Sequence, residues 1–180
     1  ASGDRLALGN ELVELTFCLG EGGGLVSLLD RSSGCELRRD LTAPTQLWWL
    51  ALRPQPGPDL LWLDSNQAGR WEWSQESSDG TTTLVLTTSG CPERDLTVTI
   101  RVSLTAESPL SAWRMEVTGL EKDEAVFQLV CPILTGLVKL GDPAPGEALA
   151  VPIQGEGYLF RNPFPVRDRL PLCSGPGPET

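Results

Sequence analysis

Trp71 and Trp73 flank Glu72 at a spacing of two, which in an extended strand sends both indoles to one face. An indole face beside a carboxylate suits a sugar ring, whose C–H face stacks while its hydroxyls find an acceptor. The same pair could instead cap a hydrophobic core, because Trp buries a large area and its N–H needs only one partner. Glu156 is the most suggestive single acid: it stands between Gly155 and Gly157, which let a ligand approach the backbone, and Tyr158 adds a ring nearby. Its plainer reading is a surface turn. Trp48 and Trp49 are adjacent, so a strand sends them to opposite sides and one should lie outside the core. With the loop from Pro54 to Pro58 they form a candidate apolar patch for docking a neighbouring domain. Trp113, in a predicted central strand, is expected in the core.

Other chemistries are excluded by composition. The chain has no His, which removes Ser-His-Asp and Cys-His nucleophilic catalysis, His-ligated zinc and imidazole acid–base work. Cys18, Cys35, Cys91, Cys131 and Cys173 form no CxxC pair, so they read as small buried hydrophobes, with a disulfide as the alternative, and neither a metal nor another cofactor is expected. A glycosidase reaction needs a proton-donating acid and a second carboxylate about 5 to 10 Å away. With 24 acidic residues such pairs arise by chance, so no catalytic residue is assigned. The run Gly20 to Gly24 lacks the Lys-Ser/Thr ending of a phosphate loop, and Glu21 would repel phosphate. A net charge of −10 disfavours nucleic acid and anionic lipid as partners, and no apolar run is long enough to span a membrane as a helix.

The elements that must position these residues are strands. Val13, Leu15 and Phe17 alternate with Glu14 and Thr16, and Leu96 to Leu104 alternates apolar even positions with Thr, Arg and Ser. Thr81 to Thr88 and Gly69 to Gln75 read as a hairpin closed by Glu76 to Gly80, with Asp-Gly at its end. Ser111 to Val117 and Ala125 to Leu134 follow as further strands. No stretch carries a capped 3.6-residue period over ten residues. The expectation is an all-β, two-sheet antiparallel β-sandwich over residues 1–173, with 174–180 a Gly/Pro-rich tail or linker. The first residue is not Met, which reads as a processed chain or an excised fragment.

The order of the pieces carries a resemblance. Leu8-Gly9-Asn10-Glu11-Leu12-Val13-Glu14-Leu15, Gly24-Leu25-Val26-Ser27-Leu28-Leu29-Asp30 and Ser33-Gly34-Cys35-Glu36-Leu37 are followed by Ser108-Pro109-Leu110-Ser111-Ala112-Trp113-Arg114. Then come Val130 to Leu137, Val151 to Gly157 and Asn162-Pro163. This series resembles the β-sandwich that begins many large glycoside hydrolases and polysaccharide-processing enzymes, of galactose-mutarotase-like supersandwich type. The resemblance implies a non-catalytic support or substrate-flanking module whose partner is a downstream catalytic barrel of the same polypeptide, with carbohydrate as a further partner. Free-standing mutarotases of that fold class work with His and Glu, so the absence of His excludes their catalysis here. A stand-alone carbohydrate-binding or scaffolding sandwich is the alternative.

Overall fold

In the computed structural model, residues 5–38, 45–54, 57, 59–137, 148–153 and 156–161 are described. They contain thirteen strands, two short 3-10 turns and no α-helix. The chain divides into two compact units, residues 1–137 and 138–180.

Within the first unit, β1 (Arg5–Gly9), β2 (Val13–Cys18), β3 (Leu25–Asp30) and β4 (Cys35–Glu36) form one antiparallel meander. A second sheet joins β5 (Trp49–Pro54) to β6 (Leu61–Asp64) on one side and to β11 (Glu124–Val130) on the other. The third is the longest: β7 (Arg70–Ser78), β8 (Thr81–Ser89), β9 (Thr97–Thr105) and β10 (Ser111–Thr118), all antiparallel and in the order β10-β9-β8-β7. In the second unit β12 (Ala148–Ile153) pairs with β13 (Glu156–Arg161).

Alternation along these strands builds the core. Val98, Ile100, Val102 and Leu104 of β9 are all buried, and Leu84 and Leu86 of β8 sit beside them across the ladder. Leu8, Leu15, Phe17 and Leu25 from the meander and Leu50, Leu52 and Leu63 from the second sheet join the same cluster. Residues of all three sheets thus share one interior, as the period-two pattern requires of half-buried strands, and the architecture is all-β and sandwich-like, with three sheets where the sequence suggested two. Each fully buried Leu or Ile contributes roughly 1.5–3 kcal/mol by leaving water.

Two local features differ from the sequence expectation. The β7–β8 ladder runs on to Ser78 opposite Thr81, so only Asp79 and Gly80 remain in the turn rather than the whole of 76–80. Their φ values, 50° and 72°, are both positive, as in the type I′ turn whose twist matches the paired strands. The ladder of β11 ends at Val130, short of Leu134, and a register shift between Val126 and Gln128 interrupts it. The tail 174–180 lies outside the described residues.

Candidate functional site

The β7–β8 register sets the faces of β7. Trp71 lies opposite Thr88 and Trp73 opposite Leu86, both of which point into the sandwich, so the two indoles share the core-facing side with Gln75. Trp71 is half-buried against the margin of the core. Its ring occupies the space that a Cβ on Gly23 would need, and Gly23 has φ 68°, so the β2–β3 turn can close over the indole only with glycine there. Gly22 gives up its own side-chain space to the amide of Asn66 in the same way. Asn66 belongs to a 3-10 turn capped by Asp64, whose Oδ1 accepts from Asn66 N at 2.7 Å.

Trp73 is 54% exposed although Leu86 beside it is fully buried, because β7 is the last strand of its sheet. The outcome is an aromatic ledge, with Trp71 pinned beneath the glycine turn and Trp73 open. Glu72 does not stand beside the indoles. Alternation turns it to the opposite face, where its carboxylate is ion-paired with Arg70. The polar side chains that share the indoles' face are Gln75, a neutral amide next along the strand, and Ser77 beyond it.

The remaining sequence candidates separate. Trp48 is 0% exposed and its Nε1 has no hydrogen-bond partner, so the expectation that it helps form an exposed docking patch is corrected. The segment before β5 is held inward there: Leu47 N donates to Ser65 Oγ, and Ser65 N donates to Trp48 O. Trp49 turns to the other side, as alternation demands, and is half-buried against Trp62 with ring centroids 5.1 Å apart. Most of the 54–58 loop lies outside the described residues. Trp113 packs on the core margin beside Phe17, and its Nε1 donates to Ser111 Oγ at 2.9 Å. Glu156 is the first residue of β13, opposite Ile153, and Tyr158 lies opposite Val151. Gly157 is also within that strand, so Glu156 and Gly157 belong to the ladder and not to the turn expected for them.

Sequence reasoning missed the exposed apolar side chains Val126, Phe127 and Leu129 on β11, with Leu134 and Leu137 beyond it. The Phe127 ring carries the Arg53 guanidinium at 4.4 Å. The bulge between Val126 and Gln128 breaks the alternation that would have sorted these side chains into one buried and one polar face.

One cleft of about 400 Å³ lies at the end of the sandwich, between the β1–β2 loop, the β7–β8 turn and the β9–β10 turn. Glu11 and Glu107 line it, no ring does, and Asn10 is already committed: Nδ2 donates to Thr105 O and Ser108 O while Oδ1 accepts from Leu12 N and Val13 N. Among the described residues no group of three His, Cys, Asp or Glu is placed to hold a metal ion.

Among the described residues two carboxylates have shifted acidities, both downward. Asp30 is lowered to about 2 by the hydroxyls of Ser32 and Ser33 and by their backbone N–H groups. For Glu36 burial pushes upward, but hydrogen bonds from Ser27 Oγ, Arg38 N and Leu28 N, with the Arg38 charge, outweigh it and leave a net lowering. Both therefore act as ionised acceptors that tie turns together, the reverse of what a general acid requires. Burial raises the Cys131 thiol to about 12, which makes it inert as a nucleophile near neutrality. Comparison of the chain with protein-family models, with curated proteins and with solved structures finds no match.

Proposed function

We propose that this chain is an accessory β-sandwich module of a carbohydrate-active enzyme, contributing glycan contact and support while a catalytic domain of the same polypeptide performs the chemistry. The observation that carries this reading is the Trp71–Trp73 ledge, with Trp73 54% exposed on a nine-residue paired strand and an amide, Gln75, on the same face. A flat indole with only two rotatable side-chain bonds offers stacking area at modest entropic cost, and a neutral amide both donates to and accepts from hydroxyls. Glu156 and Tyr158 of β13 are the second proposed contact, and Trp49 is the indole proposed to meet a neighbouring domain.

The test is titration of an oligosaccharide panel while following Trp emission. A ligand should saturate, and Trp73→Ala should weaken it about threefold to tenfold, the worth of one stacked ring. The same titration on Glu156→Ala places or removes the second contact. Binding untouched by Trp73→Ala, or no saturation with any glycan, sinks the ledge. Hydrolysis of aryl glycosides that one Glu or Asp substitution abolishes would sink the accessory role.

A further inference from the structure

β7 ends its sheet, and its outer edge is unpaired among the described residues. Backbone parity shows which groups face outward. Ala106 N donates to Gly80 O at 2.9 Å, so the even residues of β8 bond to β9 and its odd residues bond to β7. The odd residues of β8 lie opposite Arg70, Glu72, Ser74, Glu76 and Ser78. Hence Trp71, Trp73, Gln75 and Ser77 turn their N–H and C=O groups to the free edge. This edge is nine residues long, in unbroken register, and lacks Pro and Lys, the usual blocks to edge pairing. Of the other edges of these sheets, β4 has two residues, β6 four and β1 five, β11 is bulged, and β10, with eight, is shorter than β7 by one.

We infer that β7 pairs with β7 of a second copy of this chain, antiparallel about a twofold axis through Trp73. The occupant is argued from charge. With Trp73 opposite Trp73 of the second copy, Arg70, ion-paired to Glu72 in its own chain, falls opposite Glu76, ion-paired to Arg101, and Glu72 falls opposite Ser74, so opposite charges face each other twice across the axis. Shifting the axis to Glu72 puts like carboxylates face to face, and shifting it to Ser74 sets Glu72 against Glu76. Both clashes are destabilising. In the matched register Trp73 exchanges both backbone hydrogen bonds with its counterpart, and Trp71 does so with Gln75. The half-exposed Trp73 ring gains an aromatic neighbour across the axis. Arg70 and Glu76 lie on the face opposite the indoles, so charge reversal there probes the association without altering the ledge side chains.

Sedimentation equilibrium of the 180-residue chain over a range of concentrations tests it. A reversible dimer is expected. Arg70→Glu and Glu76→Arg should each raise its Kd, by about threefold to tenfold, because each creates two like-charge pairs across the axis. The double exchange should restore it. Gln75→Pro removes an N–H that points away from β8, so it should abolish the dimer while a thermal melt shows the fold retained. A chain monomeric at all concentrations overturns the inference. So does a dimer indifferent to Gln75→Pro, or single charge reversals that the double exchange fails to rescue. Glycan titration of Arg70→Glu, which weakens the dimer but keeps the ledge side chains, should still saturate, and it reads the sugar site separately from the association.

Discussion

Gly23 shows how one residue sets the candidate ledge. Its φ of 68° already disfavours a side chain, and a Cβ would collide with the Trp71 ring. Gly34 has nearly the same φ, 69°, but open space around it. Comparing the two isolates the steric effect from the backbone effect. Gly34→Ala should cost about 1 kcal/mol, from left-handed strain partly offset by a less entropic unfolded chain. Gly23→Ala should cost about 3 kcal/mol and shift Trp emission, because the indole must move or the turn must open. Urea denaturation of both variants is the measurement, and equal costs would mean the Gly23–Trp71 contact contributes nothing. That the Gly20–Gly24 run is a turn can be read locally. That it closes over Trp71 cannot, because the two meet only when the β2–β3 end of the meander comes down beside β7.

At the scale of elements, the β7–β8–β9 ladder was the most legible part of the chain. Apolar residues at 98, 100, 102 and 104 identify a half-buried strand and Asp79-Gly80 a hairpin end by local rules, while the ladder alone shows that the turn is only those two residues. The short strands β1, β6, β12 and β13 lacked such a signal, since a few apolar residues near Pro or a chain end carry too little period. Asn10 joins two elements that no local rule brings together. Its amide bonds both the start of β2 and the carbonyls of the β9–β10 turn, at 2.7 to 2.9 Å. Asn10→Ala should therefore cost about 2 kcal/mol, more than loss of a single surface hydrogen bond. Asn10→Asp, which keeps the acceptor and loses the donor, should fall between. Chemical denaturation of the pair checks this, and an Asp variant as stable as the parent would show the Thr105 and Ser108 contacts to be idle.

For the molecule as a whole, the first unit holds three sheets whose inner residues share one cluster, and Ile100 sits within it at 0% exposure. A shared interior means that loss of packing in one sheet is felt by the others. Ile100→Ala should destabilise by about 3 kcal/mol, within the range for large-to-small core changes, and leave the urea m-value unchanged. Trp emission and far-ultraviolet circular dichroism should lose signal together for this unit. Separated transitions would show that the sheets unfold independently. The sequence by itself determined the all-β class, the core faces of β2 and β9, the opposed directions of Trp48 and Trp49, and the absence of imidazole chemistry. Each of these depends on residue type and a period of two. Tertiary structure decided which indoles are exposed: Trp48 is sealed and Trp73 is open. Alternation states to which side a residue points, but only the layer packed on that side, and the strand's place at the middle or edge of its sheet, decide whether water reaches it.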